Sequence, residues 1–174
     1  MKLRTASFLV VLALAAGRVP AEERHLGPHV HGQATLQVSS DGPALLVALS
    51  IPGHDAVGFE HPPVTTEQAL SLAKATQTLK GGKWLVPASG ARCAAPPAKV
   101  VADGFDVNAK PGGHGDFDVT SQFVCANPQQ LDALEVGLFA AFPALQRVVV
   151  DIVTANGATQ QVLDRPMTHV TLSP

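Results

Sequence analysis

The chain has 174 residues, 12 Lys and Arg against 14 Asp and Glu, seven histidines and only 5% aromatic residues. This length fits one domain of ~100–200 residues and falls short of the roughly 250 an amidohydrolase barrel needs. The near-neutral, slightly acidic balance lacks the basic stripe that nucleic acid requires, and no apolar run reaches the ~20 residues of a transmembrane helix.

In chain order, Lys2 and Arg4 precede "FLVVLALAAG", an apolar run of the length of a secretory core, and "VPA" then offers small residues. Cleavage after Ala21 is expected. Residues 1–21 read as a signal peptide and 22–174 as a single domain, periplasmic and without a membrane anchor once cleaved. No Cys follows the apolar run, so no lipid anchor is expected. Lys2, Arg4 and Arg18 leave with the signal, so nine basic residues remain against 14 acidic ones, a charge of −5 with neutral histidine. A weakly acidic, histidine-bearing surface suits cations.

"GQATLQVSS" alternates, with Ala34, Leu36 and Val38 on one face, and predicts a half-buried strand. "DGP" is turn chemistry, and "ALLVALSI" predicts a more fully buried partner strand in a hairpin. "PGHDAVGFEHPPVT" carries three prolines and two glycines and reads as a loop without helix. Thr65 and Gln68 have capping-box spacing, and Leu72, Ala75 and Leu79 make an apolar stripe, so a helix runs to "KGG". "KWLV" and "VVADGFDV" read as strands around a loop-like "PASGARCAAPPAK". From His114, "HGDFDVTSQFVC" alternates, with Phe117, Val119, Ser121 and Phe123 on one face. Asn127-Pro128 then opens a second predicted helix, striped by Leu131, Leu134, Leu138 and Phe142 and ended by Pro143. "LQRVVVDIVTA" and "ATQQVLD" form a hairpin around Asn156-Gly157, a type I′ pair, and "MTHVTL" is a last strand. The expectation is an α+β fold: about eight mostly antiparallel strands in hairpins, two packed helices, and a faint ββα-type duplication between the halves.

Cys93 and Cys125 are an even pair in an exported chain and read as one disulfide, closing a loop that stabilises by roughly 3–4 kcal/mol in the chain-entropy model. Thiolate metal ligation is the alternative, without CxxC spacing to favour it. The histidines carry the chemistry. In an extended segment His29 and His31 share a face and can present two imidazoles to one ion, while His25 follows on a Gly27-Pro28 approach. "HGDFD" sets His114, Asp116 and Asp118 on one face, opposite Phe117 and Val119. His54-Asp55 and Glu60-His61 bracket a loop and offer further donors; ordering of that loop beside Pro62-Pro63 is the plainer role for His61. His169 stands alone and reads as structural or exposed. Histidine with carboxylate suits Zn(II), and less selectively Cu(II), Ni(II) or Co(II).

These blocks also carry a resemblance. "HVHGQATLQV", "VGFEHPPVT", "ARC", "HGDFDVTSQFVC" and "LFAAFPALQRVVV" occur here in the order of the ZrgA-like family of bacterial zinc-regulated periplasmic proteins, from His29 to about Leu172. The resemblance implies a non-enzymatic zinc-binding protein that supports zinc uptake beside a zinc ABC importer or its substrate-binding protein. It places His29, His31, His114, Glu60 and His61 on family motif positions. Many members carry a His/Asp-rich insertion where this chain has "DVNAKPGG", which puts a high-capacity zinc sponge in doubt; an aromatic common in the strand is here Ser121. Two alternatives stand beside this reading. One is a metalloenzyme like the copper–zinc superoxide dismutase, although its bridging histidine and its Gly-rich, Arg-bearing C-terminal segment are missing. The other is a structural envelope module with incidental histidines.

Overall fold

The computed structural model describes residues 30–107, 109 and 113–172, so the expected signal segment, His25 and His29 lie outside the described residues. Strands β1 (Gln33–Asp41) and β2 (Ala44–Pro52) form the expected hairpin, turning at Gly42 with Asp41 opposite Ala44. Ala34, Leu36 and Val38 are buried, as the alternation requires. β2 alternates as well: Leu45, Val47, Leu49 and Ile51 face the core while Leu46 is 46% exposed, so β2 has one open face and is not buried on both.

A single helical turn, α1 (Gly53–Val57), replaces the loop expected there. Its two breakers sit at its ends: Pro52 precedes it, and Gly58 closes it in the left-handed conformation, φ +87°. Gly53 opens the turn where no side chain fits. A Cβ there would stand 2.5–2.7 Å from the Phe105 ring and from the carbonyl oxygens of Gly115 and Phe59. α2 (Thr66–Lys80) is the predicted capped helix; Thr65 Oγ1 accepts from the Gln68 N–H, and the Gln68 side chain reaches back to the Val64 N–H. Ala75 and Leu79 are buried, and the Leu79 carbonyl accepts from the Trp84 indole.

β3 (Leu85–Pro87), β4 (Cys93–Ala94), β5 (Lys99–Asp103) and β6 (Asp116–Cys125) follow. Cys93 and Cys125 lie directly opposite each other and are disulfide-bonded, so neither is a free thiolate ligand. The second long helix does not form. Asn127-Pro128 opens only one 3-10 turn, Pro128–Gln130, because the Asn127 side chain donates to the Gly90 carbonyl and does not cap. Strand β7 (Ala133–Val136) and the turn α3 (Leu138–Ala141) follow. Leu131, Leu134, Leu138 and Phe142 are buried as predicted, but Leu134 and Val136 do it with strand periodicity, and Gly137 separates strand from turn. Two flanking strands supply β7 with backbone partners, and this tertiary pairing overrides the local helical pattern. The echo between the halves therefore stops at this point, and the fold is not a ββα duplication.

β8 (Arg147–Thr154) and β9 (Gly157–Asp164) make the predicted hairpin, but the turn pair is Ala155-Asn156, with Thr154 opposite Gly157. It is not type I′, which needs positive φ at both residues: Arg92 is the one described non-glycine with positive φ. β10 (His169–Thr171) ends the described chain. Among the described residues, ten strands and three helices confirm the α+β class. The larger sheet runs β4-β6-β2-β1-β8-β9, with β5 also on β6; β1 and β8 are parallel and the other pairs antiparallel. β10-β7-β3 form a small second sheet. One core joins the larger sheet's inner face to α2, the small sheet and α3, with Leu36, Leu49, Phe117, Leu79, Leu134 and Leu138 fully enclosed.

Candidate functional site

Three strand ends meet at one end of the larger sheet. β1 starts there, β2 ends and β6 starts, as the pairings Thr35–Ser50 and Pro52–Asp116 show. The residues just beyond these ends are His31, the α1 turn with the loop to Glu60, and His114. The loops are tied by backbone: the Gly53 N–H donates to the Gly115 carbonyl at 2.7 Å.

Glu60 stands between two imidazoles. Its Oε1 lies 2.9 Å from His31 Nε2 and its Oε2 2.9 Å from His114 Nδ1. An ionised carboxylate only accepts, so both ring nitrogens donate. The Glu60 side chain is 15% exposed while those of His31 and His114 are 52% and 64% exposed. The carboxylate is thus set in the protein and the rings face water. The His54 ring stacks on His31, with centroids 4.4 Å apart and planes 12° from parallel. Beneath them is Asp55, the one buried charged side chain among the described residues. Both its oxygens accept from the Gly32 N–H, at 2.9 and 2.8 Å, and Oδ1 lies 3.4 Å from His54 Nδ1.

The other marked residues fall elsewhere. His61 Nδ1 donates to the Pro62 carbonyl at 2.9 Å and its ring leans on Phe59, which orders the loop. Asp116 and Asp118 line a groove of about 350 Å³ on the outer sheet face with Thr35, Gln37, Ser50 and Asp103. His169 pairs with Glu135 across β10 and β7; hydrogen bonds from His169 and then Thr168 hold that carboxyl below its ordinary value. A wider concavity of about 790 Å³ on the outer face is lined by Leu46, Ala48, Pro96, Pro97 and Val153 among others and contains no histidine, so its size does not mark it as a cation site. Reading the sequence marked His31, Glu60 and His114, but missed the inward turn of Asp55 and the His31–His54 stack. A carboxylate next to a histidine between glycines is the only local sign of either.

Nitrogen and oxygen donors of this kind are what Zn(II) takes. Among the described residues no three such side chains already converge on one metal position, because Glu60 is hydrogen-bonded to both rings. A family model described as ZrgA family zinc uptake protein matches residues 28–172. The chain belongs to the ZrgA family. The ZrgA match takes in His29 as well as His31, His54, Glu60 and His114, and it gives this protein a zinc-related role. A search of the curated proteins finds no match. Among the described residues of this ZrgA protein, no helix is long and apolar enough to cross a membrane.

Proposed function

We propose that this protein is a non-enzymatic periplasmic zinc carrier, which captures Zn(II) between His31, Glu60 and His114 and hands it to the uptake machinery. A zinc ABC importer or its substrate-binding protein is the recipient. One observation carries the reading: a single carboxylate bridges imidazoles that lie 29 and 54 residues away in sequence, at an exposed sheet end. Tetrahedral zinc with ligand bonds of ~2.0–2.1 Å holds its donors about 3.3–3.4 Å apart. Each ring nitrogen now stands 2.9 Å from its own oxygen of Glu60, so both imidazoles turn from the carboxylate toward a common point when one zinc takes all three donors. His29 lies two residues before His31 and is the fourth ligand of this reading. Exposed rings favour release as well as capture.

Titration calorimetry of chelator-stripped protein tests this. Zinc should bind near one equivalent with submicromolar affinity, and His31→Ala/His114→Ala should weaken it at least tenfold, about 1.4 kcal/mol. Affinity should also drop as pH falls, because protons compete with zinc for imidazole nitrogens. Unchanged affinity in the double variant would remove this site; millimolar binding by the unaltered protein would remove the carrier function.

A further inference from the structure

We propose that Asp55 is the positioning residue of the zinc site: its buried carboxylate, gripping the Gly32 N–H with both oxygens, sets where the His31 imidazole stands. The proposal rests on the zinc reading above and names what holds that site ready.

A buried carboxylate is costly unless hydrogen bonds replace its water. Asp55 is 3% exposed, and its described partners are the Gly32 N–H and, more distantly, His54 Nδ1. The Gly32 N–H belongs to the peptide that follows the His31 Cα, so fixing its direction fixes ψ at His31. On the other side of Gly32, its carbonyl accepts from the Gln146 and Arg147 N–H groups, both at 2.9 Å. Gly32 itself sits at φ +83°, a conformation side chains rarely adopt. The chain is thus clamped on both peptide planes next to a ligand. α1 delivers the clamp and the neighbouring ring together, since Asp55 follows His54, whose imidazole backs that of His31. Outer partners of this kind orient metal ligands, and their loss typically lowers metal affinity 10–100-fold. Asp55 acts through backbone, so its role needs an acceptor oxygen and not a charge.

That distinction makes the test. Full-length protein is exported and stripped, and Zn(II) affinity and the Co(II) ligand-field spectrum are recorded for the unaltered chain, Asp55→Ala, Asp55→Asn and Leu134→Ala. The last variant loosens the core at the small sheet, away from the site. Asp55→Ala is expected to lose about tenfold in zinc affinity and to shift the Co(II) bands. Asp55→Asn keeps an acceptor and should stay within about threefold, with unshifted bands. Leu134→Ala should unfold at lower temperature and leave both readouts unchanged. Affinity and spectrum in Asp55→Ala equal to those of the unaltered chain would overturn the proposal, as would Asp55→Asn falling as far as Asp55→Ala. If Asp55→Ala does not fold, Asp55→Asn decides: a tenfold loss overturns the proposal and retention sustains it. Absence of zinc binding by the unaltered protein would instead remove the zinc reading itself.

Discussion

Glu60 works as a bridge because residues without side chains let its neighbours close in. The loop that carries it leaves α1 at Gly58, α1 itself opens at Gly53, and His114 enters β6 beside Gly115; the two segments touch through the Gly53–Gly115 hydrogen bond. Adding a methyl group at Gly53 would meet the backbone oxygens of Gly115 and Phe59 as well as the Phe105 ring. Backbone cannot rotate aside as a flexible side chain can, so the loops must separate. Gly53→Ala is therefore expected to destabilise by about 1–3 kcal/mol, the usual range for overpacking. It should also weaken zinc binding by moving Glu60 away from His114. Chemical denaturation and zinc titration of the same sample check both effects, and normal values in the two assays would show that the loops have slack. At this scale the sequence marked three side chains that the fold brings together. His31, Glu60 and His114 each stood in a motif, but Asp116, Asp118 and His61 stood in the same motifs. Only the hydrogen-bond partners separate the two groups, and those depend on residues distant in the chain.

Strand β6 connects two ends with different tasks. Its first residue follows the His114 loop, and its last, Cys125, is disulfide-bonded to Cys93 on β4. Ten residues of extended chain put about 30 Å between these ends. Removing the bridge should therefore cost stability without touching the ligands. Cys93→Ala/Cys125→Ala is expected to lose about 3–4 kcal/mol, with zinc affinity within twofold of the unaltered chain. A large loss of affinity would mean that β6 transmits strain along its whole length. The elements that sequence predicted well are those whose cause is local. The β1–β2 hairpin has its own turn and alternation, α2 its cap and stripe, and β6 its alternating aromatic and aliphatic face. The segment 128–142 misled for the opposite reason. Leucines at 131, 134 and 138 and Phe142 fit a helical stripe, but a short strand followed by one helical turn buries the same residues. The choice between them is made by β3 and β10, which pair with β7 from elsewhere in the chain.

At the scale of the whole molecule, the candidate site belongs to no single element and exists only in the folded chain. His31 is anchored where β1 begins, and β1 is held by parallel pairing with β8, more than 100 residues later. Glu60 comes from the loop after α1, and His114 from the approach to β6. No local pattern announces the β1–β8 pairing, which is why sequence could propose ligands but not show that they meet. The proposed site would couple zinc to folding through the same topology. An unfolded chain scatters these donors, so zinc held by them would bind the native state preferentially and shift unfolding by RT ln(1 + [L]/Kd). At a hundredfold excess over Kd this amounts to about 2.7 kcal/mol. For a domain of this size each kcal/mol moves the thermal midpoint by about 2–4 °C. Zinc at that level should therefore raise the midpoint by about 5–10 °C, and Glu60→Ala should lose most of the rise because the carboxylate that links the two rings is gone. Differential scanning calorimetry at stepped free zinc measures this. A midpoint that climbs with the logarithm of zinc in the unaltered chain and stays flat in Glu60→Ala would place the ion among donors that only the fold assembles. An equal climb in both would place zinc on donors independent of Glu60, and the carboxylate bridge would then serve only to hold three strand ends together.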